Sequence, residues 1–206
     1  MDELLALGAA TLGESGAARM RARIAAVWAG ATVCGSALPV TCTPGDNLAV
    51  HVALTVARPG DVLCVAVGDE RELGYWGEVL TTAAETCGVA GLVIDGCVRD
   101  VGALEAHRFG VFSTGIALTG ATKNRPGAIG QPASVGDVRV RRGDVVVGDR
   151  DGVVVVPADE LDTVLSAARA RAATETELFA QLREGRTTVE LLGLDATPIE
   201  VDLPDR

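Results

Sequence analysis

Between Gly77 and Asp100 the sequence changes period, and the change dictates a helix followed at once by a buried strand. Gly77-Glu78-Val79-Leu80 opens the stretch and puts an acid in the first helical turn, where the macrodipole favours an anion. Gly88 stands where a helix needs a left-handed residue just past its end. Leu92-Val93-Ile94 is a short apolar run of the buried-strand type. Helix followed by strand brings the helix N-terminus and the strand C-terminus to one edge of a sheet. The free N–H groups after Gly77 and the side chains of Arg99 and Asp100 can then face one crevice, suited to an anion and a divalent cation together. An Arg-Asp pair is commonly a surface ion pair of little consequence. Its place after Gly96, at the end of an apolar strand, favours a functional role, because loops at strand ends carry function more often than strand interiors.

The rest of the composition excludes more than it identifies. The 206 residues suit one domain, 1–206, with a sizeable core, and 48% hydrophobic content with 3% aromatic content makes that core Val, Ala and Leu. A net charge of −10 argues against a nucleic-acid partner, which requires a basic face. Five cysteines with no Cys-x-x-Cys pair read as reduced, buried thiols of a cytoplasmic protein. Two histidines exclude a His-rich zinc site. No apolar run is long enough to span a bilayer, so no membrane partner is expected. No Gly-x-Gly occurs anywhere, which removes the dinucleotide fingerprint.

Taken in order, residues 2–26 read as helical with a break near Gly13–Gly16, and Ala31–Thr43 as extended, with Pro39 arguing for an edge or a bend. Asp46 can cap a helix over about 47–58, and His51 on that apolar helix reads as a core or edge residue rather than a ligand. Val62–Val67 is a fully apolar strand, and Tyr75 and Trp76 fall at a presumed crevice mouth or simply cover the core edge. A short helix (Val101–His107) and a strand (Gly110–Ser113) follow. The loop Thr119–Pro132 carries Lys123, the sole lysine, and reaches a ligand, a neighbouring subunit, or only solvent. Segments 135–140, 144–147 and 152–156 read as β, and Asp149-Arg150-Asp151-Gly152 as a tight hairpin turn. A long helix over 158–183, a short one over 187–192 and a polar tail from Asp195 complete an α/β layered arrangement.

Several of these stretches, in this order, resemble the class II pyruvate aldolase family, which includes 4-hydroxy-4-methyl-2-oxoglutarate aldolases and RraA-like proteins. They are Pro44-Gly45-Asp46-Asn47-Leu48, Pro59-Gly60-Asp61-Val62, Trp76-Gly77-Glu78, Val93 to Asp100, and Gly143-Asp144 to Val153. Glu78, twenty residues, then Arg99-Asp100 has the family's spacing, with Glu where the aldolases usually carry Asp. The resemblance implies a compact β/β/α sandwich like the swivelling phosphohistidine domains, assembled as a homotrimer or homohexamer. It implies a small 2-oxo acid substrate and Mg²⁺, Mn²⁺ or another divalent metal as cofactor. Carried over, Asp100 holds the metal, Glu78 holds metal-bound water, and Arg99 binds the pyruvoyl oxygen. The backbone after Gly77, at Val79 and Leu80, binds the carboxylate. Glu14 and Glu175 are candidates for acids supplied by an adjacent subunit. The implied reaction is cleavage of a 4-hydroxy-2-oxo acid to pyruvate, with oxaloacetate decarboxylation beside it. The base for the C4 hydroxyl stays open, with water beside Glu78 as the expectation. The alternative is an RraA-like regulator that binds a ribonuclease and catalyses nothing; Asp100 favours the enzyme.

Overall fold

The computed structural model describes residues 1–200 and 202; the other tail positions lie outside the described residues. Two compact units are present, Met1–Ala168 and Arg169–Arg206. The first begins with α1 (Asp2–Glu14), two short strands β1 (Ala18–Arg19) and β2 (Ala25–Ala26), the long β3 (Val33–Cys42) and α2 (Leu48–Val56). It continues with β4 (Asp61–Ala66), α3 (Glu78–Thr86), β5 (Gly91–Asp95), β6 (Cys97–Val98), α4 (Val101–Ala106), β7 (Gly110–Ser113) and β8 (Gly115–Ile116). Then come β9 (Gly127–Ile129), β10 (Ala133–Val135), β11 (Val138–Val140), β12 (Val145–Asp149) and β13 (Gly152–Val156). A 3-10 turn (Ala158–Glu160) leads into α5 (Leu161–Arg183). The second unit holds the rest of α5 and α6 (Thr188–Leu192), the latter closed by a capping box between Thr187 and Glu190.

The main sheet runs β1-β13-β12-β3-β4-β5-β7-β2, with β9 also on β3. Its centre, β3-β4-β5-β7, is parallel, because α2, α3 and α4 each return the chain to the same edge. Alternate residues of one strand enter different cores, as they must when both sheet faces are covered. Leu63 and Val65 pack with Val50, Leu54, Leu80 and Leu104 from the three helices. Val62 and Cys64 pack instead with Ala133, Val135 and Val140 of the β10–β11 hairpin, beneath Phe112 and Ile24. A third cluster joins α1 and the start of α5 to Val145, Val147, Val154 and Val156. Hairpin, sheet and helices thus form the β/β/α layering implied by the resemblance.

Three local expectations change. Helix over residues 2–26 holds only to Glu14: the break near Gly13–Gly16 is present, with Gly16 at φ 114°, and a further interruption stands at Gly8 (φ 79°), but no helix resumes after the break. Beyond it the chain is extended, because β1 pairs with β13 and β2 with β7, partners far away in sequence. Pro39 lies in a central strand, not an edge strand. Opposite β4, β3 pairs with β12 only over Val33–Ser36 and with β9 only over Val40–Cys42, so Pro39 falls where no ladder N–H is required. The segment 135–140 is a hairpin turned at Gly136-Asp137, both with positive φ (56° and 64°), as a two-residue turn between twisted strands demands.

All five cysteines are free thiols, three of them buried. Among the described residues no helix is long and apolar enough to cross a membrane.

A candidate active site at the carboxyl edge of the parallel strands

Helix α3 starts and strand β5 ends at the same edge, as the sequence pattern requires. The segment after β5 is tied to the loop before α3 by backbone bonds from Tyr75 N–H to Cys97 O (3.1 Å) and from Arg99 N–H to Trp76 O (2.9 Å). Asp100 then takes the left-handed conformation (φ 58°), one that Asp tolerates better than most residues. Its carboxylate does not cap its own helix α4. Instead Oδ2 accepts the Glu78 N–H at the start of α3 (3.1 Å), joining the two helix starts. The first intrahelical bond of α3 is from Thr81 N–H to Gly77 O (3.1 Å), so the N–H groups of Val79 and Leu80 precede it and are free of the helix ladder.

These groups line a cavity of about 190 Å³ together with Arg99, Lys123, Asn47 and His51. Of the sequence candidates, Gly77, Val79, Leu80, Arg99 and Asp100 are brought together there. The Glu78 side chain is not among the lining groups. It is 57% exposed, with Oε1 3.9 Å from His107 Nε2, and His107 Nδ1 bonds Glu85 (2.8 Å). Glu14 lies at the C-terminal end of α1, and Glu175 lies in the second unit and pairs with Arg171 (2.8 Å).

Room for the charged side chains comes from glycines. A Cβ at Gly77 would lie 2.3 Å from Asp100 Oδ2, one at Gly74 3.0 Å from Arg99 Cδ, and one at Gly120 3.4 Å from Arg99 Nη1. Tyr75 and Trp76 are buried behind the site rather than at its mouth. The Tyr75 hydroxyl receives the Gly45 N–H (2.9 Å) and donates to Glu70 O, while Trp76 donates to Thr81 Oγ1 (2.7 Å) and stacks on Phe109. Asp95, four residues before Arg99, is turned to other partners: Arg23, Arg71 (3.1 Å) and the Gly136 N–H (3.1 Å). Burial would raise its pKa, but the Arg23 bonds outweigh that and hold it below the ordinary range.

Three lining residues escape a reading of the sequence by local pattern. Asn47 caps the apolar helix α2 and His51 lies in its first turn, while Lys123 belongs to a loop 76 residues beyond Asn47. Asp46 joins the two pieces: its Oδ1 accepts the Leu48 N–H (2.8 Å), and its Oδ2 accepts Thr122 Oγ1 (2.7 Å), Asn124 N–H (2.7 Å) and Arg125 N–H (3.1 Å). Asp46 therefore does support the start of α2 as expected, from one position before the cap. His51 is pushed to a lower pKa, first by burial and then by Lys123, so its imidazole is neutral at neutral pH. No local signal marks Asn47 and His51; Lys123 is set apart only as the chain's sole lysine.

A hard divalent cation fits this donor set. Asp100 is the carboxylate that lines the cavity, and Gly77 leaves its edge uncovered. Among the described residues no three His, Cys, Asp or Glu side chains converge.

Fold and cavity define a mixed α/β protein whose cavity is lined by cations, free backbone N–H groups and one carboxylate. Residues 7–155 match the RraA-like family model, Aldolase/RraA, and the chain belongs to that family. It is 38% identical over 143 residues to a Halalkalibacterium halodurans protein named "Putative 4-hydroxy-4-methyl-2-oxoglutarate aldolase", covering 69% of this chain and 68% of that one. A crystal structure of an uncharacterized Pseudomonas syringae protein superposes with TM-score 0.79 at 26% identity, over 90% of this chain and 92% of that one. Streptomyces coelicolor RraAS2, described as an unusual member of the RNase ES inhibitor RraA family, superposes with TM-score 0.71 at 28% identity, over 86% and 92% of the two chains.

Proposed function

We propose that this protein is a divalent-metal-dependent carbon–carbon lyase that cleaves a 4-hydroxy-2-oxo acid of the 4-hydroxy-4-methyl-2-oxoglutarate type to pyruvate, and that it also decarboxylates oxaloacetate. The observation that carries the reading is the meeting of Arg99, Asp100 and the free N–H groups of Val79 and Leu80 in one cavity. The relative's aldolase name points the same way.

In this reading the substrate's C1 carboxylate sits against the N–H groups of Val79 and Leu80, where the helix dipole adds a favourable field. Arg99 lies where negative charge grows on the 2-oxo oxygen as the C3–C4 bond breaks, and a fixed cation there stabilises the transition state. Lys123 adds a second positive charge to the same cavity. Buried Tyr75 and Trp76 keep bulk water from the wall behind the substrate. A divalent ion held by Asp100 would supply Lewis acidity toward the 2-oxo acid. Assembly as a homotrimer or homohexamer belongs to the reading, supported by exposed apolar Val79, Ile116 and Leu118 near the cavity.

A non-catalytic ribonuclease-binding role needs no polar cavity, and the lining just described is left without purpose by it. Pyruvate release from 4-hydroxy-4-methyl-2-oxoglutarate and from oxaloacetate, coupled to lactate dehydrogenase, tests the proposal. Release with Mg²⁺ that stops with EDTA and returns on adding Mg²⁺ is the expected result. No release from either substrate by folded, Mg²⁺-supplied protein refutes it.

A further inference from the structure

Two polar atoms in the cavity wall are buried and have no hydrogen-bond partner: Asn47 Oδ1 and His51 Nε2. Asn47 is the N-cap of α2 and His51 lies one turn further on, with its N–H bonded to Asn47 O (3.3 Å), and both residues line the cavity. Asn47 is 4% exposed, and its amide is fixed because Nδ2 donates to Tyr75 O (2.8 Å), which leaves Oδ1 as the unmatched end. An unmatched buried polar atom is costly, and folded proteins rarely keep one without cause. Two together in a cavity built for a ligand are accounted for by a ligand group that answers both.

The chemistry of the pair narrows that group. Asn47 Oδ1 only accepts. A neutral imidazole has one N–H, and Nε2 can carry it. A carboxylate satisfies His51 but meets Asn47 Oδ1 acceptor to acceptor. A methyl group satisfies neither. A hydroxyl satisfies both, donating its proton to Asn47 Oδ1 and accepting from His51 Nε2–H. We infer that Asn47 and His51 form a hydroxyl-reading subsite that selects 2-oxo acids carrying a C4 hydroxyl over those without one. The inference rests on the lyase reading above and names the substrate feature that this site discriminates.

The test is a ratio, because a ratio is insensitive to general damage. The kcat/KM for 4-hydroxy-4-methyl-2-oxoglutarate is divided by that for oxaloacetate, which lacks the hydroxyl, in wild type, His51→Leu and His51→Gln. If wild type cleaves the hydroxy acid but leaves oxaloacetate untouched, exchange of pyruvate C3 protons in D₂O replaces the denominator. His51→Leu lowers the ratio by about 10- to 100-fold, the effect of one buried hydrogen bond left unmade. His51→Gln, whose amide keeps a donor, restores most of it. A ratio unchanged in His51→Leu, or lowered equally by Gln and Leu, overturns the subsite while leaving the lyase reading intact. A wild-type protein inactive in all three assays overturns the lyase reading and the subsite with it.

Discussion

Asp46 holds the cavity wall together, and its contribution can be worked out. One carboxylate, 2% exposed, takes four donors: the Leu48 N–H of α2, and Thr122 Oγ1, Asn124 N–H and Arg125 N–H of the loop that carries Lys123. Burial alone would raise its pKa. The four donors outweigh burial and bring it from the ordinary 3.8 down to about 2. The folded value lies below the unfolded one, so the ionised form stabilises the native state. That stabilisation is complete above the unfolded pKa and is lost as pH falls through the folded pKa. The gap corresponds to about 2.5 kcal/mol. Asp46→Asn removes the charge and turns an NH₂ group toward donors on one side or the other, which adds about 1–3 kcal/mol.

The expected loss for Asp46→Asn is therefore about 3.5–5.5 kcal/mol at pH 7. It should shrink by about 1.5 kcal/mol by about pH 2.5, on the way to losing the whole charge contribution below the folded pKa. Urea unfolding followed by circular dichroism, at fixed protein concentration from pH 7 to pH 2.5, measures it. Asp95 and Asp137 also titrate low, but they are common to both proteins and drop out of the difference. A difference in stability that stays constant across that pH range would refute the claim that the charge on Asp46, rather than its shape, secures α2 to the 122–125 loop.

Asp100→Asn keeps both the shape and the tolerance for positive φ, so the melting temperature should hold while metal-dependent pyruvate release falls by more than about 10²-fold; full turnover in a folded variant would remove Asp100 from the site. Arg99→Ala, with a side chain 45% exposed in the native protein, should leave stability nearly unchanged and lower kcat by about 10²–10³-fold in steady-state assays. Gly77→Ala suits the extended backbone there (φ −167°) but drives a Cβ to 2.3 Å from Asp100 Oδ2. Activity should fall by about tenfold or more, with weakened Mg²⁺ binding visible as a higher Mg²⁺ requirement.

The parts of this molecule legible in the sequence are those whose cause is local. Helix α3, the Gly88 stop, strand β5 and the Arg99-Asp100 turn follow one another within 24 residues, and each signal acts on its own neighbours. The 18–26 segment is the opposite case. Its Ala and Arg residues favour helix, but β1 is set by Val154 and Val155 and β2 by Phe112 and Ser113, which no window around residue 20 contains. Tyr75 and Trp76 mislead for the same reason. Large aromatics in a charged loop look like a rim, yet Tyr75 is drawn inward by the Gly45 N–H, thirty residues earlier, and by the Cys97 carbonyl.

The site divides along the same line. The half that bears on the 2-oxo acid, from Gly77 to Asp100, is one continuous piece of chain and carries its own spacing signature. The half formed by Asn47, His51 and Lys123 exists because the start of α2 is bonded to a loop more than seventy residues away, through the Asp46 carboxylate and through backbone bonds from Asn47 N–H to Thr122 O (2.9 Å) and Thr122 N–H to Gly45 O (2.8 Å). A contiguous half built by helix and strand geometry suits chemistry common to many 2-oxo acids. A half assembled by Asp46 and backbone bonds at the start of α2 can vary its side chains without disturbing Arg99 or Asp100. Discrimination among substrates is thus expected on α2 and the 122–125 loop. Exchanges at His51 or Lys123 should change which acid is cleaved before they change whether a pyruvate enolate forms.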